Sequence, residues 1–127
     1  GHLGNFPALL PAHNISAKVS SVGFDWPDAE SVLVQLEDEI SELREALASK
    51  QQGAIRAEIG DILFTVANLA RHLDLDAETA LLEMNSRFRN RFQSMERVAK
   101  NRGQDLEQLS FDDLNVLWQQ AKADNRE

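Results

Sequence analysis

Four carboxylates in two stretches of the sequence are spaced so that they could bind a metal ion together. Glu39 and Glu42 lie three residues apart, and so do Glu58 and Asp61. Residues at i and i+3 share one face of a helix, and the short polar link between the two stretches favours an antiparallel helical hairpin. The two pairs can then face each other across a groove. Four hard oxygen ligands at that place would suit Mg²⁺.

The alternative is that these acids are ordinary solvated surface residues, which is the usual position of Asp and Glu. Both pairs, however, lie beside the predicted core stripe of their helix. Four carboxylates brought together would repel one another strongly without a counter-ion. If the hairpin forms as predicted, a bound cation is therefore expected.

Composition indicates one small soluble globular domain. The chain has 127 residues, of which 43% are hydrophobic and 27% charged. The net charge of −8 argues against a duplex-DNA-binding protein, which normally has a basic face. The sequence contains no cysteine, no long apolar run and no glycine-rich phosphate-binding loop, so we expect a cytoplasmic protein without a membrane span.

Hydrophobic periodicity predicts an all-α fold, a helical bundle built on antiparallel helix hairpins. Because Pro7 and Pro11 disfavour an earlier start, the first helix is expected at about residues 12–21, and others at about 29–49, 54–73, 77–101 and 111–123. Asp28 and Asp76 are predicted N-caps, and Gly53 and Gly103 are predicted to end helices. The expected core stripes are Leu33, Leu36, Ile40, Leu43 and Leu47; Ile55, Ile59, Ile62, Val66, Leu69 and Leu73; Leu81, Met84, Phe88, Phe92, Met95 and Ala99; and Leu114, Leu117, Trp118 and Ala121.

Other candidate residues are individually weaker. Arg87 and Arg91, four residues apart, could hold phosphate oxygens beside an acidic metal site, although a solvated helix face is the commoner outcome for such a pair. Trp26 and Trp118 suit a core or an interface, and either ring could stack on a nucleobase. His72 is expected to be a structural histidine rather than a ligand.

The chain resembles the MazG family of all-α nucleoside triphosphate pyrophosphohydrolases. That family has the pattern E-E-x-x-E, a spacer, then E-x-x-D, and this sequence has Asp38-Glu39-Ile40-Ser41-Glu42 and, later, Glu58-Ile59-Gly60-Asp61. The similarity runs from about Pro7 to Lys122. Further similar segments are Val22-Gly23-Phe24-Asp25-Trp26, Asn68-Leu69-Ala70-Arg71-His72-Leu73, Asn85-Ser86-Arg87-Phe88, Arg91-Phe92 and Leu117-Trp118-Gln119-Gln120.

Gly-Phe-Asp-Trp resembles the second, catalytic half of two-domain MazG proteins. We therefore expect a piece of a longer chain, in which residues 1–22 are a linker remnant with a lead-in helix and residues 23–127 are the catalytic domain. Gly1-His2 looks like the remnant of a cleaved tag and carries no argument.

The resemblance implies Mg²⁺-dependent hydrolysis of NTPs or dNTPs to the monophosphate and pyrophosphate, with water attacking the α-phosphate. It implies a homodimer, and it implies that Glu39, Glu42, Glu58 and Asp61 bind the metal and carry the reaction. The substrate-binding residues it implies are Gln35, Asp38, Arg87, Arg91 and Trp118. Two positions depart from the family: Asp38 replaces the first Glu of the pattern, and Gln35 stands where relatives can have a basic residue.

Two alternatives remain open. One is a non-catalytic nucleotide-binding or dimerisation module, and the other is a narrower dUTP- or dCTP-type pyrophosphatase. Glu42 or Asp38 could accept the proton of the attacking water, and the sequence does not decide between them.

Overall fold

The computed structural model describes residues 7–124. These residues form the helices α1 (Leu9–Ser20), α2 (Ala29–Ser49), α3 (Gln52–His72), α4 (Ala77–Asn101) and α5 (Phe111–Asp124), with a short 3-10 helix at Leu106–Gln108. No β-strand occurs in this range, so the predicted all-α class is confirmed. The expectation that Gly1-His2 is a tag remnant lies outside the described residues.

The chain divides into two compact units, of which the first ends at Ala80 and the second begins at Leu81. In the first unit, α3 packs against both α1 and α2. The predicted division at residues 22 and 23 concerns the limits of the catalytic domain and stays a prediction. Within residues 7–124 we find no helix with the length and apolar character needed to cross a membrane.

Helix α1 begins three residues earlier than predicted. Pro11 was expected to keep the helix from starting before about residue 12, but α1 starts at Leu9 and Pro11 is its third residue. The first backbone N–H groups of a helix have no acceptor within it, so proline removes no hydrogen bond there. The prediction of a lead-in helix is confirmed, and its start was wrong for this reason.

The link between α2 and α3 is shorter than predicted. Lys50 adopts the left-handed conformation (φ 59°, ψ 24°) directly after α2, and its backbone N–H donates to the carbonyls of Ala46 and Leu47. Gly53, the predicted end of α2, instead lies in the first turn of α3. A two-residue connection between packed helices requires an antiparallel hairpin, as predicted.

The other predicted helix limits are confirmed by local contacts. Asp28 accepts a hydrogen bond from the Ser31 N–H (2.8 Å), and Asp76 accepts from the Thr79 hydroxyl (2.9 Å), so both act at helix starts. Gly103 follows α4 with φ 68°, a conformation that favours glycine.

The buried side of α2 coincides only in part with the predicted leucine stripe, of which Leu36 and Leu43 are half-buried. The buried residues of α2 are Val32, Glu39 and Ala46, at intervals of seven. Members of the predicted stripe remain open: Ile40 is 40% exposed and Leu47 is 53% exposed. The periodicity located an apolar face correctly, but it could not say that small and polar residues would face α3 instead.

Helix α3 also follows its predicted stripe only in part, since Ile55, Ile62 and Leu69 are half-buried. Its buried residues are Thr65, Ala67 and Asn68, whereas Ile59 and Leu73 of the predicted stripe are 44% and 52% exposed.

The second unit has a small core formed by α4 and α5. Met95, Ala99, Leu117 and Ala121 are buried there. These four belong to the predicted stripes, but the first part of the α4 stripe does not follow, since Phe88 and Phe92 are 53% and 44% exposed.

Candidate active site

Helix α2 presents one buried and several exposed polar residues. Glu39 is buried (7% exposed) between Val32 and Ala46 on the side that faces α3. Its Oε1 accepts no hydrogen bond from the described residues. A buried carboxylate oxygen without a donor is costly unless a cation or a proton satisfies it. Glu42 and Asp38 are exposed and Gln35 is half-buried.

On α3, Glu58 is half-buried and Asp61 is exposed. The Oε2 atom of Glu58 is enclosed and, like the Glu39 oxygen, has no hydrogen-bond partner among the described residues. Each helix of the hairpin therefore contributes one enclosed carboxylate oxygen that no donor satisfies.

The acids of the two helices interact. The pKa of Glu58 is raised, first by loss of solvation and then by the charges of Glu42 and Asp61, by hydrogen bonding to Glu42, and by the charge of Glu39. The charges that raise this pKa come from both helices, Glu39 and Glu42 on α2 and Asp61 on α3.

The side chains do not form a closed metal cage. Across residues 7–124, no group of three or more Asp, Glu, His or Cys side chains is arranged closely enough to hold a metal ion. The donor set nevertheless fits a hard divalent cation, because it consists of carboxylates and two of its buried oxygens have no donor. Glu39 and Glu58 are the inward pair, and Glu42 and Asp61 are the exposed pair.

A second polar cluster, centred on Asp25, was not predicted. The Arg71 Nη2 atom donates to Asp25 Oδ2 at 2.7 Å, and the Ser20 hydroxyl donates to the same oxygen at 2.9 Å. His72 Nε2 lies 3.0 Å from Asp25 Oδ1, which also accepts the Trp26 N–H at 2.9 Å. His72 is therefore a structural residue in this network, as predicted.

The same arginine joins this cluster to α1. Arg71 Nε donates to the Ser16 hydroxyl at 2.8 Å, and its Nη2 donates to Asn68 Oδ1 at 2.9 Å. The Ser16 hydroxyl also donates to Asn68 Oδ1. We call Ser16, Ser20, Asp25, Asn68, Arg71 and His72 the Asp25 network.

Charge in the Asp25 network is well compensated. Burial alone would raise the pKa of Asp25, but hydrogen bonds from Arg71, His72 and Ser20 and the charge of Arg71 together hold that pKa well below its usual range. Arg71 and His72 occupy the last turn of α3, where positive charge also interacts favourably with the helix dipole. Arg71 contacts Asp25 and Ser16, which lie 46 and 55 positions away, so helical spacing gives no signal for these contacts. The one available signal was that Asp25 and Arg71 both lie in segments that resemble the family.

In the second unit, the structure brings Arg91 and Trp118 together. The guanidinium carbon of Arg91 lies 5.2 Å from the centre of the Trp118 ring, within the range of a cation–π contact. The Phe88 ring lies 4.9 Å from the same indole at 49°. Arg91 is 7% exposed, so it is not the solvated arginine that its helix position would suggest. Arg87 is half-buried and its Nη2 lies 3.4 Å from the Met84 sulfur.

Comparison with known proteins identifies the family. A sequence model described as the MazG nucleotide pyrophosphohydrolase domain matches residues 28–96, which is more than half of the chain and includes all four carboxylates. The chain belongs to this family.

Named relatives agree with the assignment. The nucleoside triphosphate pyrophosphohydrolase/pyrophosphatase MazG of Thermotoga maritima is 40% identical over 116 residues, covering 91% of this chain and 44% of the relative. The nucleoside triphosphate pyrophosphohydrolase of Escherichia coli K12 is 35% identical over 122 residues, covering 93% of this chain and 46% of the relative. The uncharacterized protein YabN of Bacillus subtilis is 42% identical over 72 residues, covering 57% of this chain and 15% of the relative. This MazG-family chain spans less than half the length of each of these curated relatives.

Proposed function

We propose that the chain hydrolyses nucleoside triphosphates to the monophosphate and pyrophosphate in a reaction that depends on Mg²⁺. The proposal is supported by the family and by the names of the relatives from T. maritima and E. coli. The observation that carries it is the pair of enclosed carboxylate oxygens without a hydrogen-bond donor, Glu39 Oε1 on α2 and Glu58 Oε2 on α3. The raised pKa of Glu58 beside Glu42, Asp61 and Glu39 agrees with it.

The four carboxylates Glu39, Glu42, Glu58 and Asp61 would hold the ion. Bound there, Mg²⁺ would offset the charge of the triphosphate and make water a better nucleophile. Glu42 or Asp38, both exposed, would accept the proton of the attacking water at a carboxylate oxygen.

Substrate binding is proposed for residues outside the acidic cluster as well. Arg87 and Arg91 would offset charge on the phosphates, and Trp118 would contact the substrate. Gln35 can contribute an amide donor but no charge, so the first helix would hold phosphate less strongly than a basic residue would.

We also propose that the chain is a homodimer, that it corresponds to the second half of a two-domain MazG protein, and that it acts in the cytoplasm. The dimer is supported by apolar side chains of α2 and α3 that are exposed to solvent in the single chain. Leu47 and Leu63 are each 53% exposed, and Ile40 and Ile59 are 40% and 44% exposed. Exposed apolar surface of this kind marks contacts with other molecules. Sedimentation equilibrium should give twice the mass of one chain.

A pyrophosphate-release assay over all NTPs and dNTPs, with and without Mg²⁺, tests the activity. Glu42→Ala and Asp61→Ala should each abolish release. Glu37→Ala is the matched control, because Glu37 is exposed and points about 160° away from Glu39 around α2. Release that survives both site substitutions would overturn the proposal, and turnover confined to dUTP or dCTP would identify the narrower enzyme.

A second candidate is a non-catalytic nucleotide-binding module. It is favoured by the finding that no three metal-binding side chains within residues 7–124 come together in a closed group. Nucleotides that raise the melting temperature, without pyrophosphate release at any Mg²⁺ concentration, would select this candidate.

A further inference from the structure

An aromatic pocket lies beside the Asp25 network in the first unit. It has a volume of about 220 Å³, and the residues that line it include Phe24, Trp26, Phe64 and Asn68. Pockets for drug-sized ligands are generally about 300–1,000 Å³. This pocket therefore suits one flat ring system rather than a whole nucleotide.

The loop that carries Phe24 and Trp26 is held in place by hydrogen bonds within the chain. Asp25, between two of the rings, is hydrogen-bonded to Arg71, Ser20 and His72, and its Oδ1 accepts the Trp26 N–H. A ligand would not have to order this loop, and that lowers the cost of binding.

Asn68 gives the pocket a polar group with unused hydrogen-bonding capacity. It is 3% exposed, and its Oδ1 accepts from both the Ser16 hydroxyl and Arg71, which fixes the orientation of the amide. No described residue accepts a hydrogen bond from its Nδ2. A carbonyl oxygen or ring nitrogen of a planar ligand could accept from that Nδ2, and every nucleobase has such an atom.

The position of Asn68 relative to the acidic cluster suits a nucleotide. Asn68 follows Asp61 by seven residues on the continuous helix α3, so both lie on nearly the same face. Two helical turns separate them by about 10.5 Å along the axis. Side chains reaching from these two positions leave room for a ribose between a base held near Asn68 and phosphates held near Asp61.

We propose that this pocket holds the nucleobase of the substrate, with the ring stacked against the aromatic side chains and hydrogen-bonded by Asn68 Nδ2. The inference rests on the proposed function, because it takes the acidic cluster as the place of the phosphates. It adds a base subsite to the site and makes Asn68 a determinant of base preference.

Equilibrium dialysis of the 127-residue chain with the four ribonucleoside monophosphates tests the stacking. Phe24→Ala should weaken binding about 5- to 150-fold, the range found when a base loses a stacking side chain. The Phe24 ring is 77% exposed, so its removal should leave the melting temperature unchanged. Phe111→Ala is the matched control, with a ring 79% exposed in the other unit, and should bind as the wild type does.

Asn68→Asp tests the hydrogen bond. Aspartate keeps the oxygen that accepts from Ser16 and Arg71 but removes the Nδ2 donor, so the order of affinities among the four monophosphates should change. An unchanged order together with wild-type affinity for Phe24→Ala would overturn the base subsite, and so would a wild-type chain that binds none of the monophosphates.

Inorganic tripolyphosphate with Mg²⁺ separates this inference from the proposed function. It has no base, so its binding should be the same in the wild type, Phe24→Ala and Phe111→Ala. Equal losses of monophosphate and tripolyphosphate binding in Phe24→Ala would overturn a specific role in base binding. Pyrophosphate release from NTPs, measured independently, tests the proposed function whatever the outcome for the pocket.

Discussion

Removing Asp25 should destabilise the first unit strongly. The Asp25 side chain is 16% exposed, and it accepts from Arg71, Ser20 and the Trp26 N–H and pairs with His72. Removing one partner of a buried ion pair leaves the other charge uncompensated and costs about 3–5 kcal/mol. Because both partners retain some contact with water, we expect the lower end, about 3 kcal/mol, for Asp25→Ala. Urea unfolding followed by circular dichroism at neutral pH measures this loss.

A double-mutant cycle with Arg71→Ala separates the contact from other effects of the substitutions. Once Arg71 is absent, losing Asp25 no longer leaves a guanidinium unpaired, so the double variant should be more stable than the two single losses predict. We expect a coupling free energy of about 1.5–3 kcal/mol, the range for hydrogen bonds to charged groups. Glu37→Ala, an exposed acid on α2, should change the free energy of unfolding by less than about 0.5 kcal/mol. Losses that add to within about 0.5 kcal/mol would refute the Asp25–Arg71 contact as a source of stability.

The remaining predictions concern charge elsewhere in the molecule. Because the folded state raises the pKa of Glu58, its ionisation destabilises the fold as pH rises above about 4.3. Glu58→Gln should therefore raise the melting temperature at neutral pH when a chelator removes divalent cations. Mg²⁺ at ten times its Kd should raise the free energy of unfolding of the wild type by about 1.4 kcal/mol, and that of the variant by less. The lowered pKa of Asp25 predicts the opposite sign. Ionised Asp25 stabilises the fold above about pH 3.9, and this stabilisation is lost on acidification. The free energy of unfolding, measured by urea titration, should therefore fall less on acidification in Asp25→Ala than in the wild type. Arg91→Ala should lower the free energy of unfolding by about 1–3 kcal/mol through loss of the Trp118 contact, whereas exposed Arg89→Ala should change it by less than about 0.5 kcal/mol.

Local sequence signals predicted the helices well because most of their limits depend on nearby residues. Asp28 and Asp76 satisfy N–H or hydroxyl groups two or three residues away, and such contacts can be predicted from the sequence alone. Pro11 and Gly53 misled the prediction because each residue type is tolerated in the first turn of a helix, where the backbone N–H groups have no helical acceptor. Periodicity predicted the type and number of the helices. It did not predict the residues at which α1 and α3 begin.

Hydrophobic periodicity predicted the buried residues of α2 and α3 only in part, for a different reason. An apolar stripe shows which side of a helix avoids water, but not whether its cover is the neighbouring helix or another molecule. Here Ile40 and Ile59 remain open while Glu39 and Asn68 are buried. Glu39 is buried on α2, and Asn68 is buried on α3 where it contacts Ser16 of α1. Hydrophobicity gives no signal for buried residues of this kind.

The two polar clusters have opposite effects on stability and share helix α3. Near its beginning, Glu58 is disfavoured in its ionised form by burial and by neighbouring acids. Near its end, Arg71 and Asp25 compensate each other. Arg71 also donates to Ser16 of α1, and Ser20 of α1 donates to the same Asp25 in the loop that follows α1. A cluster of like charges can persist only where the surrounding structure is stable without it. We therefore interpret the Asp25 network as the source of stability that lets α3 hold unsatisfied carboxylates, and its disruption should weaken the hairpin most at neutral pH, when Glu58 is charged.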